Sequence, residues 1–569
     1  MNLLDRASLL THILRWRLTW DRRDTDYLPA EPLPARFKSA RAAADMIADT
    51  ACVISCGISG NARCSILFWA IRERFEKSGH PRELTWLSVG GQGGRGRAPG
   101  TVEEVGLDGL VTTYIAGHTE TAKSMLQLAE AGRLELHTLP QGEMIQAVEA
   151  QGRGERQVRS QTGTGSFLDP RVGRGSPVSP DPTMQLVRAD GDDLVYTLPA
   201  IDVALFNAPY ADRDGNIYFH NAATITENVE AARAARQNGG IVLVSVAALI
   251  DHDEATIGLP ADAVDAIVIN PRNEQTGSVP QKSYWPMFTA GAAVDAQEAA
   301  AQLRFINKTL GITPRRSQLD YALARLGAQT FADNVPAGAL VNIGVGLAEE
   351  VCQVLFASRL REQITFTTES GPYGGLPAPG IFFGAAINPK WLESSAAMFA
   401  HYREHLDAAI LGFLQLDAAG NINLSNRGPR MLDYVGPGGA PSIIEAADTV
   451  LFIGKWMQGA SVRVDGERLH LDKPGEPKLR EHVDEITFNG AVGLARGKKI
   501  FYVTDLAVLE LTDAGLTLRY VMPGIDIERD LLANSRAHIV VPDHPAPRTV
   551  PASIVTGKGY QLGWAENCV

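Results

Sequence analysis

The chain has 569 residues, of which 45% are hydrophobic, and this length exceeds what one hydrophobic core usually organises, so at least two domains are expected. Lys and Arg total 53 against 65 Asp and Glu, and the net charge of -12 argues against nucleic acid or an anionic membrane as a partner. The five cysteines, Cys52, Cys56, Cys64, Cys352 and Cys568, lack the paired CxxC spacing of a zinc site. We interpret them as reduced thiols of a cytoplasmic protein.

The first 35 residues are interpreted as an appended N-terminal arm. The segment MNLLDRASLLTHILRWRLTW has apolar residues at helical spacing and predicts a helix docked on the surface. Acidic residues such as Asp5, Asp21 and Asp24 argue against a transit peptide. Further along, residues 151–184 are rich in Gly, Ser, Pro and Arg and predict a long surface excursion.

Short β-branched runs alternate with helical patterns along the remainder of the chain, which is typical of α/β proteins with parallel sheets. The apolar run GGIVLVSVAALI at 239–250 predicts a buried strand, since it is far shorter than the roughly 20 residues of a membrane-spanning helix. ALVNIGVG at 339–346 predicts a strand and turn, and LAEEVCQVLFASRLRE after it predicts a helix. QITFTTE, AAILGFL and DTVLFIG predict further buried strands.

An internal repeat indicates two copies of one fold. IDVALFNAPYADRDGNI at 201–217 matches LDAAILGFLQLDAAGNI at 406–422 without a gap, pairing Asp202 with Asp407 and Asp212 with Asp417. LTWLSVGGQGG likewise resembles ITFTTESGPYGG, and VISCGISG resembles VNIGVGL, in the same order. We therefore predict two similar open, mainly parallel-sheet α/β domains, at 36–310 and 311–569, joined by a polar connection within 300–330.

The stretch TFTTESGPYGGLPAPG at 365–380 places one carboxylate, Glu369, at the end of a predicted strand and the start of a glycine-rich loop. The first copy has Val89 at the matching position. Ligands of open α/β sheets bind outside the carboxyl ends of the strands, so this is the position expected for a site. Gly371, Gly374 and Gly375 have no β-carbon, which would let a bulky ligand approach the backbone.

Several roles for Glu369 remain open from these residues alone. It could bind a metal, although no second ligand lies nearby in sequence, or it could act as a general base or as a covalent nucleophile. It could also simply cap a turn. The neighbouring GVGLAE from Gly344 suggests dinucleotide binding only weakly, because the third glycine of GxGxxG is missing. His118, without a partner at catalytic spacing, is more typical of a structural histidine.

The motifs VNIGVG, ESGPYGGLPAPG, LDAAILGFLQLDAAGNINLSNRGPR, VLFIG and PGIDIERDLL, with GGQGGRG, LPQG and TGTGSFLDPR in the first half, resemble the family I CoA-transferases. The similarity is to the fused, single-chain acetate/acetoacetate (3-ketoacid) or propionate type and covers most of residues 36–535. It implies that the chain moves CoA between a short-chain acyl-CoA and a carboxylic acid. Glu369 would be the nucleophile, CoA a substrate, and no metal or other cofactor would be needed.

The resemblance also implies further site residues. Gly346 and Leu347, with Gly438 and Gly439, match the loops that supply oxyanion-binding amides, while Gly371, Gly374, Gly375 and Asn421 are expected to contact CoA. Asn421 has a second interpretation as a turn residue, because the same Asp-x-x-Gly-Asn pattern occurs at 212–216.

One segment departs from the family pattern. YREHLD places Arg403, Glu404 and His405 where relatives have glycines near the acyl site, which leaves the acyl group undetermined. An acyl-CoA hydrolase and a non-catalytic acyl-CoA-binding protein remain as alternatives, and a homo-oligomer, either dimer or tetramer, is expected.

Overall fold

The computed structural model describes residues 1–94 and 98–564, so Cys568 lies outside the described residues. Helices and strands alternate through both halves of the chain. The α-helices of the described chain are α1 Leu3–Thr19, α2 Ala40–Ala44, α3 Ser65–Ser78, α4 Lys123–Glu130, α5 Gln141–Gly152, α6 Asn228–Gln237, α7 Ala296–Leu310, α8 Gln318–Asn334, α9 Leu347–Ala357, α10 Ser395–Glu404, α11 Ala440–Ala446, α12 Gly490–Ala495 and α13 Ala552–Thr556.

The strands fall into two large sheets and several small ones. Those of the first half are β1 Cys52–Ser55, β2 Leu84–Ser88, β3 Val111–Ala116, β4 Glu135–Thr138, β5 Val158–Ser160, β6 Val187–Asp190, β7 Asp193–Tyr196, β8 Val203–Ala211, β9 Ile217–Tyr218, β10 Ile241–Leu249, β11 Ala266–Ile269, β12 Glu274–Thr276 and β13 Val279–Pro280. Those of the second half are β14 Ala339–Ile343, β15 Ile364–Thr367, β16 Pro372–Tyr373, β17 Leu376–Pro377, β18 Ala386–Ile387, β19 Trp391–Leu392, β20 Leu406–Gly412, β21 Gln415–Asp417, β22 Ile422–Asn423, β23 Ala447–Gly454, β24 Met457–Gln458, β25 Ser461–Asp465, β26 Arg468–Lys473, β27 Glu476–Pro477, β28 Leu479–Arg480, β29 Lys499–Thr504, β30 Ala507–Thr512, β31 Gly515–Val521 and β32 Arg548–Thr549.

The two large sheets share one topology, which confirms the predicted α/β fold of two similar sheets. In the first sheet the order β11-β10-β8-β1-β2-β3-β4 is parallel throughout, with β9 antiparallel beside β8. The second sheet has the same parallel core, β29-β23-β20-β14-β15. It is extended by antiparallel β16 and β19 at one edge and by β30 and β31 at the other.

Matching residues of the internal repeat make matching contacts. The carboxylate of Asp202 accepts a hydrogen bond from the backbone N–H of Cys52 at 2.8 Å, and that of Asp407 accepts one from Leu340 N–H at 2.7 Å. Each aspartate thereby ties the start of one central strand to its neighbour in the sheet. The shared Asp spacing in the sequence therefore reports a shared structural role.

Burial explains the strongly apolar strands. One face of the first sheet packs against α2, α3 and α4, and its other face belongs to a core that continues into the second half of the chain. Strands that are buried on both faces have apolar residues at nearly every position. The predicted strand at 239–250 is β10, Ile241–Leu249. None of the described helices is both long enough and apolar enough to cross a membrane.

The structure adds detail to two expectations about connections. The predicted polar connection at 300–330 consists mainly of α7 and α8, with only a short link between them, because Leu303, Ile306 and Leu323 supply buried faces. The predicted surface excursion at 151–184 is partly internal, since Phe167 and Leu168 are buried and Phe167 N–H donates to the carbonyl of Ile486. Polar composition did not reveal either tertiary contact.

Candidate active site

A cavity of about 760 Å³ lies between the two halves of the chain. The turn that follows β1, at Ile58 to Gly60, lines one side, and the turn that follows β14, at Gly344 to Gly346, lines another. The carboxyl ends of the central strands of both sheets thus contribute to one cavity, as expected for a ligand site in open α/β sheets.

Glu369 lies on the cavity wall, two residues beyond the end of β15. The turn that carries it is fixed on both sides, because the hydroxyl groups of Thr368 and Ser370 both donate to the carbonyl of Gly384. Gly371 N–H also donates to the Thr368 carbonyl at 3.1 Å, which closes a tight turn around the glutamate. With 9% of its surface exposed, the side chain is held at the cavity and largely removed from bulk water.

Burial around Glu369 favours its neutral form, whereas two hydrogen-bonding groups favour the anion. Burial raises the pKa of Glu369, whereas its own backbone N–H and the side chain of Asn342 act to lower that pKa by hydrogen bonding. A desolvated carboxylate is a stronger nucleophile and base than one in water, because fewer water molecules must be displaced before it reacts. The position is therefore suited to chemistry as well as to structure.

A chain of hydrogen bonds holds Asn342 beside this carboxyl group. The Asn342 amide nitrogen donates to the Tyr402 hydroxyl at 3.0 Å, and that hydroxyl donates to Thr367 Oγ1 at 3.0 Å. Thr367 in turn donates to the carbonyl of Val341. The Asn342 amide oxygen is buried without a hydrogen-bond partner among the described residues. The sequence did not reveal this chain, because Tyr402 is 60 residues from Asn342 and gives no local signal.

Gly346 lies at the cavity, but its amide already has an acceptor in this conformation. It precedes α9 with φ of 92°, a backbone region that favours glycine, and its N–H donates to the carboxylate of Glu349 at 3.2 Å. Leu347 begins α9 and packs against the core; it is not among the described residues that line the cavity. Of this predicted pair, the structure places only Gly346 on the wall.

Gly438 and Gly439 both line the cavity. The Gly438 N–H donates to the carbonyl of Gly117 at 2.8 Å, a bond between the two halves of the chain. Within the described chain, no backbone acceptor is found for the N–H of Gly439. Of these two glycines, Gly439 is therefore the one whose N–H has no backbone acceptor in the described part of the chain.

Three loop glycines pack against the protein itself. A β-carbon on Gly371 would lie 1.9 Å from the carbonyl oxygen of Glu393, and one on Gly375 would lie 2.4 Å from that of Ile387. A β-carbon on Gly374 would lie 2.8 Å from the side chain of Lys390. These glycines let the loop fold closely on itself, and they are not among the described residues that line the cavity. Contact of these three with CoA remains a prediction that their placement does not support.

Asn421 is engaged in a turn. Its side-chain nitrogen donates to Asp417 at 3.1 Å and its side-chain oxygen accepts from Gly490 N–H at 3.0 Å. Asn216 makes the same two contacts in the first copy, with Asp212 and with Ala261 N–H. The placement of Asn421 thus matches the turn interpretation, and a contact with CoA stays a prediction.

The other residues that the sequence analysis singled out lie partly on the cavity wall and partly away from it. His118 lies on the cavity wall, although its lone position in the sequence suggested a structural role. Arg403 and Glu404 end α10 and His405 follows it, all three exposed and none among the described residues of the wall. In the described chain, the groups with metal-ligand spacing are Asp212, Asp214 and His252, and His405, Asp407 and Asp448. Neither group includes Glu369.

Comparisons with known proteins identify the same family as the motifs in the sequence. Residues 96–270 match the family model for coenzyme A transferase. The caffeate CoA-transferase of Acetobacterium woodii is 31% identical over 508 residues, covering 88% of this chain and 93% of that protein. Acetate CoA-transferase YdiF of Escherichia coli K12 is 28% identical over 508 residues, covering 87% of this chain and 90% of the relative.

The solved structures show the same fold. The apoenzyme of acyl-CoA transferase YdiF from E. coli O157:H7 superposes with a TM-score of 0.81 at 24% identity, covering 95% of this chain and 100% of that one. A thioester complex of that enzyme with CoA also gives a TM-score of 0.81. The 31% identity to the caffeate CoA-transferase over most of both chains shows that this chain belongs to the coenzyme A transferase family, as its motifs predicted.

Proposed function

We propose that this protein moves CoA between a short-chain acyl-CoA and a carboxylic acid, with Glu369 as the covalent nucleophile. The observation that carries the proposal is the buried carboxylate of Glu369, which stands at the end of strand β15 on the wall of a large cavity built by the carboxyl ends of both sheets. The names of the relatives, caffeate and acetate CoA-transferase, and the thioester complex of YdiF with CoA support this reaction class.

The chemistry runs in two balanced halves. The Glu369 carboxylate attacks the thioester carbonyl of the donor, the C–S bond breaks, and a mixed anhydride and CoA thiolate result. The thiolate then attacks the glutamyl carbonyl, which releases the donor acid as its carboxylate and leaves a glutamyl-CoA thioester. An acceptor carboxylate repeats these steps in reverse and leaves as its CoA ester. Both halves pass through oxyanions, which amides such as that of Gly439 can stabilise.

Asn342 holds the nucleophile ready for this sequence of steps. It lies beside the carboxyl group of Glu369 and is fixed by Tyr402, so the carboxylate need not reorganise when the thioester arrives. Burial serves a second purpose, because water that reached the anhydride or the thioester would hydrolyse it. A hydrolase on the same scaffold is the second candidate, and it differs in admitting water at this point.

The same proposal includes the finer expectations about the protein. Catalysis uses no metal or organic cofactor beyond the CoA substrate, and a 3-ketoacid is included among the acyl groups to be tested. Residues 1–35, 36–310 and 311–569 act as arm and two domains, and the protein works as a cytoplasmic homo-oligomer. The four described cysteines are free and buried, which is compatible with a reducing compartment. Light scattering on the purified protein measures the oligomer.

Intact-protein mass spectrometry tests the reaction. The protein is mixed with acetyl-CoA, a 3-ketoacyl-CoA and an aromatic acyl-CoA, without acceptor, and the product is mapped by peptides. We expect a CoA adduct on the peptide that contains Glu369, and loss of both adduct and transfer in Glu369→Gln. Free thiol without an adduct would favour the hydrolase, and neither thiol nor adduct with any donor would contradict the proposal.

Glu227→Gln is the matched control. Glu227 is also a buried glutamate, burial raises its pKa to about 8, and it is not among the described residues of the cavity wall. Because its side chain is largely neutral at pH 7, glutamine is a close replacement, so adduct formation and transfer are expected to persist.

A further inference from the structure

The N-terminal arm reaches the active-site cavity. Helix α1 is held to the first domain by buried Leu9 and Ile13 and by a hydrogen bond from Trp16 Nε1 to Glu274 at 2.8 Å. His12 Nε2 also lies 3.3 Å from the hydroxyl of Ser278. The end of this helix and the turn after it form part of the same cavity wall that carries Glu369. The arm is thus a fixed part of the wall.

The part of the arm at the cavity combines indole rings with guanidinium groups. We call Trp16, Arg17, Trp20 and Arg22 the arm cluster. The two indole rings lie edge to face with centroids 5.4 Å apart, and the Arg17 guanidinium lies 4.2 Å from the centroid of the Trp20 ring. All four residues line the cavity. Such a surface offers flat apolar faces for stacking and planar donors for anions side by side.

The arginines of the arm cluster have no ion pair among the residues that the structure describes. On the same wall Arg23 pairs with Glu73 and Arg63 pairs with Glu274. Arg17 and Arg22, by contrast, form no ion pair with a carboxylate of the described chain, and the same holds for Arg272 on the cavity wall. Cations left uncompensated at a cavity, in a chain of net charge -12, favour a ligand that carries several negative charges.

We infer that the arm cluster, together with Arg272, binds the phosphorylated nucleotide end of CoA, the adenosine 3′-phosphate 5′-diphosphate group. The purine stacks on the exposed surface of the indole and guanidinium planes, and the phosphates accept hydrogen bonds from the arginines. A simple carboxylic acid carries one charge and no purine ring, so it is expected to bind the arm cluster less tightly than the nucleotide does. The inference rests on the proposed function for its ligand, and it makes the arm a determinant of CoA binding.

Direct binding of the isolated nucleotide fragment tests this without catalysis. Adenosine 3′-phosphate 5′-diphosphate is titrated by calorimetry into the full-length wild type and into the double variant Arg17→Ala/Arg22→Ala. The control is Arg6→Ala/Arg15→Ala, which removes the same charge from exposed positions of α1 away from the cavity wall. Losing charged hydrogen bonds is expected to weaken binding about tenfold or more in the first variant, and the control is expected to stay within about twofold.

Steady-state kinetics supply the second readout. With the Arg17/Arg22 variant, KM for the acyl-CoA is expected to rise about tenfold, while kinetics with the same acyl group on pantetheine, which lacks the nucleotide, stay unchanged. The inference would be overturned if KM rose equally for both substrates or for neither. It would also be overturned if the variant and the wild type bound the nucleotide fragment equally well. If the variants bind the nucleotide fragment as expected but no CoA adduct forms on Glu369, the role of the arm is supported and the proposed reaction is rejected.

Discussion

Glutamine in place of Glu349 is expected to stabilise the folded protein most strongly above pH 7. Glu349 lies on the cavity wall with 8% of its surface exposed, and its carboxylate accepts the hydrogen bond from Gly346 N–H. Burial raises the pKa of Glu349 to about 7, from 4.5 for an unperturbed glutamate, although the Gly346 bond acts in the opposite direction. The folded state therefore disfavours the charged form of this side chain.

The sign and size of the effect follow from the two pKa values. Between about pH 4.5 and 7 the folded state binds more protons than the unfolded state, so stability falls as the pH rises through this window. At about 1.4 kcal/mol per pKa unit, the full difference corresponds to about 3 kcal/mol above pH 7. Glutamine removes this cost but adds an NH₂ group that needs its own acceptor, so we expect a net gain of about 1 to 3 kcal/mol.

Equilibrium unfolding in urea at about pH 5 and about pH 8.5 measures the effect. The gain of Glu349→Gln over the wild type is expected at the higher pH and shrinks by about 2 kcal/mol at the lower one. Glu350→Gln, one residue further along α9, breaks the ion pairs with Arg304 and Arg316 and is expected to lower stability at both pH values. A gain for Glu349→Gln that is the same at both pH values would refute the reasoning.

Two further substitutions test the geometry around the candidate nucleophile. Tyr402→Phe removes the hydroxyl that accepts from Asn342 and should lower kcat for transfer by about tenfold with little change in KM; an unaltered kcat would mean that this contact does not position the nucleophile. Gly371→Ala places a β-carbon 1.9 Å from the Glu393 carbonyl oxygen and should lower Tm more than Gly338→Ala. Gly338 also has positive φ but no atom within 4 Å of the added carbon, so equal Tm losses would contradict a steric cause.

The repeat and the position of Glu369 could be predicted because each leaves a local mark in the sequence. Asp202 and Asp407 recur at matching places since each bonds to the backbone of a neighbouring strand, and the geometry of that contact fixes the residue type. Glu369 stands out because a charge at the end of a buried strand is rare without a function.

Other features could not be predicted because they depend on contacts between distant segments. Position 371 requires glycine because the carbonyl of Glu393 packs against it. From the sequence alone, this cause looks the same as the close approach of a ligand. The Asn342–Tyr402 bond joins β14 to α10, and the arm tryptophans meet the cavity only after α1 has docked. Each depends on how helices and sheets pack, and a residue pattern read along the chain contains no information on that packing.

The divergence of the two copies explains how one fold yields one asymmetric site. The turns after β1 and β14 both line the cavity, so the repeated fold offers two equivalent strand ends to a ligand. At the position matching Glu369, the first copy has Val89, which is buried in the core with 2% of its surface exposed. A carboxylate at this matching strand end, facing the same cavity as Glu369, would raise the pKa of Glu369 by repulsion and hold a fraction of it in the unreactive neutral form. An apolar residue at that place leaves Glu369 as the only carboxylate at the two matching strand ends, and the first copy contributes other residues to the wall, such as Arg63 and His118.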